Sequence, residues 1–173
     1  TNQSTNQPTN QSTNQSTNQP TNQSTNQSTN QQSTTNYLPK KKICKKSYFV
    51  YTEPKVNWFQ AEKECNKTKK QLVSIYNKKE WEELKSAISF QAKRGEFWTS
   101  GTDREKEGTF KWTPSSTKFT FTNWDPVYED PNNRGPWGSE DCVHLNPDLT
   151  WNDRDCTRVF LGFICEETNC VDD

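Results

Sequence analysis

Six cysteines, at positions 44, 65, 142, 156, 165 and 170, constrain this chain more than any other feature. The count is even and no Cys-x-x-Cys pair occurs, which argues against a structural zinc site or a thioredoxin-like redox motif. A disulfide framework formed in an oxidising, extracellular compartment is the expected reading, although spacing alone leaves the partners open. No cysteine or tryptophan falls within residues 1–36, which are built almost wholly of Thr, Asn, Gln, Ser and Pro in a TNQS/TNQP beat. Such a segment has no apolar surface with which to offset the entropy of ordering, so it is expected to be a disordered tail. The domain plan is therefore a tail over residues 1–36 and one folded, disulfide-stabilised domain over 37–173.

Several function classes recede on composition. Twenty-two basic and 22 acidic residues give a formal net charge of zero, which points to no nucleic-acid partner. No 18-residue apolar run exists, so no membrane span is expected. The chain has no methionine, as expected if a signal peptide has been removed. The Lys40–Lys46 run reads as a solvated approach to the domain. In the tail, Asn2, Asn10, Asn14, Asn22 and Asn26 each open an Asn-Gln-Ser acceptor for N-linked sugar, and Asn66 opens another in the domain. Two readings of the tail stay open: an unmodified spacer and a glycosylated stalk.

Local patterns give an α+β reading. SYFVYT, residues 47–52, is strand-like. NWFQAEKEC opens a helix, with Asn57 as cap, Gln60 at the reciprocal capping-box position and Trp58, Ala61 and Cys65 on one face. LVSI, residues 72–75, is a short apolar run. A second helix follows, with Asn77 capping, Glu80 closing the box and Trp81, Leu84, Ala87 and Ile88 inward. FWTSGT, TFKW, CVHL and FLGFICEE are strand-like and flank a long irregular stretch from about Thr113 to Ser139. Connections beyond about 12–15 residues usually have a functional reason.

That stretch and its surroundings are rich in hard oxygen donors: Asp130, Asn132, Glu140, Asn152 and Asp153. Calcium takes six to eight such oxygens, and none of these residues is the cysteine or histidine a softer metal prefers. Each piece also has a plain reading. Asp-Pro-Asn-Asn makes a turn, Glu140 a strand start, and Trp151-Asn152-Asp153 a core tryptophan followed by a turn. His144 reads as a structural strand residue, and Trp98, Trp112, Trp124 and Trp151 as packing.

In their order and spacing, NWFQAEKEC, LVSI, FWTSGTDREKEGTFKW, FTNW, the DPNN stretch, SEDC, WNDRDC and FICEE resemble the C-type lectin-like domain family, and FWTSGTD looks particularly like arthropod members. The resemblance runs from Cys44 to Cys170. It implies a double-loop α+β domain of two helices and small antiparallel sheets, with bridges Cys65–Cys165 and Cys142–Cys156. Long-form members pair an N-terminal cysteine with one just upstream, which this chain lacks, so Cys44 is expected to join Cys170.

The resemblance also assigns Asp130, Asn132, Glu140, Asn152 and Asp153 to a Ca2+ that binds a glycan directly. It suggests a second Ca2+ at Asp103, Glu107, Asn133, Glu140 and Asp141, and leaves Trp137 either stacking on sugar or packing on the loop. The order Asp130-Pro131-Asn132, acid before amide, favours mannose, fucose or glucosamine over galactose. Here the acid is one methylene shorter than the family's usual glutamate. The function implied is calcium-dependent glycan recognition, adhesion or agglutination; the alternative is a protein-binding module on the same frame. An enzyme is not expected, because carboxylates tied to a metal are not free as the acid and base of glycoside hydrolysis. Agglutination would need several sites per particle, hence a noncovalent oligomer.

Overall fold

The computed structural model describes residues 42–88, 95–136 and 138–172. The tail repeat, its five sequons and Trp137 lie outside these residues. All the described residues belong to the unit Pro39–Asp173.

The elements run β1 (Lys42–Val56), α1 (Trp58–Lys67), β2 (Gln71–Leu72), α2 (Lys78–Ala87), β3 (Phe97–Thr102), β4 (Lys111–Trp112), β5 (Thr117–Lys118), β6 (Cys142–Leu145), β7 (Trp151–Arg154) and β8 (Leu161–Asp172). Helix α1 starts where the sequence says it should. The Asn57 side chain accepts from the Gln60 N–H at 3.0 Å, and Gln60 Oε1 accepts from the Asn57 N–H at 3.1 Å. Trp58, Ala61 and Cys65 are buried, and the Trp58 indole donates to the Thr99 carbonyl at 2.8 Å.

Helix α2 keeps only half of its expected box. Asn77 accepts from the Glu80 N–H, but Glu80 Oε2 reaches back to the Tyr76 N–H at 3.2 Å and to Lys46 Nζ at 2.8 Å. The cause is an ion cluster that the lysine-rich run conceals. Lys46 is not solvated: it lies 3.0 Å from the fully buried carboxylate of Glu166 and donates to the Ser74 carbonyl at 2.8 Å. Leu84 and Ile88 are buried and Trp81 half-buried, whereas Ala87 faces solvent because the helix ends there and Ile88 turns extended.

One sheet carries the strands in the order β1-β8-β3-β4-β5, with β2 on β8 and β6 bridging β3 to β7. The ladders are antiparallel except for β3 against β8, which joins the small antiparallel sets into one mixed sheet. Disulfides join Cys65–Cys165 and Cys142–Cys156, the pairs implied by the resemblance, and Cys44–Cys170, the pair expected from the missing upstream cysteine. The first ties α1 to β8, the second joins the start of β6 to the residues just after β7, and the third staples facing residues of β1 and β8.

WNDR forms a strand, not the turn of its plain reading. Its pairing with β6 sets Asn152 against His144 and Asp153 against Val143. Buried Trp151 anchors it within an aromatic cluster: Trp112, Phe119, Phe121 and Trp124 all lie with ring centroids 5.5–5.8 Å from Trp151. Backbone bonds from Trp151 N–H to the Asn123 carbonyl and from Asp125 N–H to the Trp151 carbonyl then tie the long irregular stretch to β7. Aromatic packing thus orders the first half of that stretch.

Candidate functional site

The second half of the stretch folds over the end of β7. Asp125, buried beside the cluster, accepts from the Val127 N–H at 2.8 Å through Oδ1. Its Oδ2 accepts from Asn146 Nδ2 at 3.2 Å and from Thr150 Oγ1 at 3.3 Å. The chain then passes through a cis bond between Asp130 and Pro131, with Glu129 and Asn133 on either side at positive φ. Asp153 fastens this turn: its carboxylate accepts the Asn132 N–H at 3.1 Å and the Asn133 N–H at 3.2 Å.

The result is a cavity of about 580 Å³ whose walls include Asp130, Asn132, Glu140 and Asn152. Asp153, the fifth expected ligand, sits behind them, its oxygens turned to the loop backbone. Asp130 Oδ2 and Asn152 Oδ1 are buried and have no hydrogen-bond partner. Asn132 Nδ2 donates to Asp130 Oδ1 and, at 2.9 Å, to the Tyr128 carbonyl, while Asn132 Oδ1 accepts from the Arg134 N–H at 2.8 Å.

Like charges crowd here. Burial, then the charges of Asp153 and Asp125, push the Asp130 carboxyl up to about 6, against the pull of Arg154. Burial and Asp153 raise Glu140, while Arg154 and the backbone N–H groups of Gly135 and Arg134 oppose the rise. Burial raises Asp153 itself, opposed by the two N–H groups it holds. Gly135 lies so close that a Cβ there would come within 2.5 Å of Glu140 Oε1. Two partnerless buried oxygens, crowded carboxylates and a glycine-lined cradle fit a hard cation. Among the described residues no three His, Cys, Asp or Glu side chains gather as a metal-holding group, and two of the five expected donors are the carboxamides Asn132 and Asn152.

The second expected set adjoins the first. Asn133 links them, donating from Nδ2 to Glu107 Oε1 and accepting from the Glu140 N–H through Oδ1, both at 2.6 Å. Asp103 is buried with Oδ1 partnerless, and its N–H donates to the Asp141 carbonyl at 3.2 Å. Its carboxyl is pushed up to about 6 by burial, the Gly108 N–H opposing and the Glu107 and Asp141 charges assisting.

Sequence reasoning passed over four residues at this site: Asp125, Tyr128, Gly135 and Arg154. Arg154 stands in the WNDRDC string, with Nη1 3.9 Å from Glu140 Oε1. Its neighbours were the signal that could have found it. His144 is fully buried in β6 at an edge-on angle to Trp98, as expected of a structural residue. Asn66 is exposed near the end of α1.

Comparison with known proteins bears on what such a site does. A family model described as the Lectin C-type domain matches residues 54–167. C-type lectin 37Da of Drosophila melanogaster is 32% identical over 142 residues, covering 77% of this chain and 74% of that protein. Lectin subunit alpha of Sarcophaga peregrina is 34% identical over 140 residues, covering 73% of this chain but 46% of its own length. Among solved structures, the cow CD23 C-type carbohydrate-recognition domain has a TM-score of 0.61 at 28% identity, covering 72% of this chain and 88% of that one.

Proposed function

The chain belongs to the C-type lectin domain family, whose members bind rather than catalyse, and from that premise we propose that it binds glycans through calcium. The observation that carries this reading is the cavity holding Asp130, Asn132, Glu140 and Asn152, with partnerless buried oxygens on Asp130 and Asn152. Those four residues and Asp153 would hold the ion. Bound there, calcium supplies a hard centre on which neighbouring sugar hydroxyls can replace water. Asp130 and Glu140 accept hydrogen bonds from those hydroxyls, and the carboxamides of Asn132 and Asn152 donate to them. Asn132 must release Nδ2 from Tyr128 or Asp130 to do so.

Acid before amide in Asp130-Pro131-Asn132 favours mannose-, fucose- or glucosamine-type sugars, with galactose the competing class. The related cow domain was solved in the presence of a GlcNAc2Man3 oligosaccharide. Asp103, Glu107, Asn133, Glu140 and Asp141 form the second candidate calcium set. Three disulfides support an extracellular setting. No described helix is long and apolar enough to cross a membrane. Residues 1–36 would serve as a tail to the domain over 37–173, and several copies would have to associate noncovalently for agglutination. One observation favours the alternative, a protein-binding module: Arg154 stands beside Glu140 and can neutralise it without a metal.

Titration of the full chain with calcium, followed by tryptophan fluorescence and calorimetry with and without mannose, fucose and galactose, tests the proposal. Saturable calcium binding and glycan binding abolished by chelator are expected. Asn132→Asp should weaken mannose-type recognition while the domain stays folded. Absence of calcium binding, or glycan binding indifferent to chelator, overturns the reading.

A further inference from the structure

Among the described residues, Tyr128 is the aromatic side chain that lines the cavity. It is 65% exposed, and among the described residues it joins neither apolar core cluster and makes no ring contact. Beside it Val127 is 78% exposed. Large apolar side chains held out in water give the fold little in return.

The backbone beneath Tyr128 is nevertheless fixed on both sides. The Val127 N–H donates to Asp125 Oδ1 at 2.8 Å, the Asp130 N–H donates to the Asp125 carbonyl at 3.2 Å, and the Tyr128 carbonyl accepts from Asn132 Nδ2 at 2.9 Å. Asp125 is in turn held by the Trp151 carbonyl through its own N–H at 2.9 Å. A pinned backbone carrying an exposed ring is a preorganised contact surface, since little further backbone ordering is required when a ligand arrives.

The size of the cavity indicates what would meet that ring. At about 580 Å³ it falls within the range that encloses ligands larger than one sugar ring. Glu96, Asn146 and Asp148 line the same cavity as Asp130, Asn132, Glu140 and Asn152, so its lining reaches beyond the expected ion ligands. We propose that Tyr128 is a specificity-determining residue that stacks on the C–H face of a second sugar, so that the chain selects oligosaccharides over monosaccharides. The inference rests on the glycan-binding reading above.

The test compares wild type, Tyr128→Ala and Tyr128→Phe in the full chain with calcium. Mannose, fucose and galactose are each titrated as methyl glycosides and as their linked trisaccharides. The ring contact predicts that Tyr128→Ala loses about 3- to 10-fold in trisaccharide affinity, keeps its methyl glycoside affinity, and that Tyr128→Phe matches wild type. Sugar C–H resonances should move upfield on binding wild type and Tyr128→Phe but not Tyr128→Ala. Equal trisaccharide affinities for wild type and Tyr128→Ala, or equal losses for trisaccharide and methyl glycoside, overturn the proposal while leaving glycan binding intact. A wild type that binds no glycan overturns both readings.

Discussion

The cradle around Glu140 depends on one missing methyl group. Gly135 passes so near that a Cβ would come within 2.5 Å of Oε1 and 2.7 Å of the carboxyl carbon. The crowded atom is the end of a side chain, so Gly135→Ala should displace the carboxylate rather than break the backbone. Because Glu140 belongs to both candidate ion sets, its displacement should weaken calcium binding by about tenfold or more, the usual range for groups that orient metal ligands. Calorimetric titration reads that loss, and an unchanged far-UV circular dichroism spectrum separates it from unfolding. A wild-type calcium affinity in the variant would mean that Glu140 is not a ligand. Asp130 raises a related point. With one methylene fewer than glutamate, Asp130 reaches less far from its backbone, so Asp130→Glu should tighten calcium binding. The same titration reads that gain, and a weaker affinity would show that the shorter acid suits the site.

At the scale of elements, local chemistry was readable and distant partnership was not. The α1 cap could be read from Asn57 and Gln60 because both ends of each bond lie within one turn. Asn152-Asp153 resembled a turn because these types favour turns. Burial of Trp151 and the β6 ladder overrode that preference and made it a strand. Lys46 was misread for a comparable reason: nothing near it in the sequence announces that Glu166 of β8 and Glu80 of α2 converge on its Nζ. The cluster joins β1, α2 and β8, and it is costly to break. Lys46→Ala leaves the Glu166 carboxylate buried without its cation and should destabilise the domain by about 3 kcal/mol at neutral pH. Burial raises the Glu166 pKa, with Lys46 and Gln71 opposing. A raised folded pKa means that this carboxyl's contribution is fully present below its unfolded value of 4.5 and is lost as pH rises through the folded value. Glu166→Gln should therefore gain on wild type between pH 4.5 and pH 8, measured as urea midpoints at the two pH values. A difference that does not change with pH would exclude burial of the charged form as its cause.

Across the whole molecule, two kinds of restraint divide the work. Covalent bridges fix the frame: Cys65–Cys165 closes a separation of 100 residues, worth about 4.7 kcal/mol in the chain-entropy account. The long stretch beside β7 has no such bridge within it. Its first half is held by Phe119, Phe121 and Trp124 against Trp151, contacts that need no ion. Its second half, from Pro126 to Glu140, rests on polar contacts to Asp125 and Asp153 and on carboxylates that repel one another. Removing calcium should therefore loosen one half and spare the other. Hydrogen exchange in the presence of chelator is expected to speed up across residues 126–140 while residues 117–125 stay protected. With calcium at a hundredfold excess over its Kd, mass action should add about 2.7 kcal/mol to global stability, seen as a melting temperature several degrees higher than with chelator. Equal acceleration in both halves would make the aromatic cluster dependent on the ion. No acceleration in either would mean that the polar contacts alone order the loop, and the case for a metal there would rest on affinity measurements only.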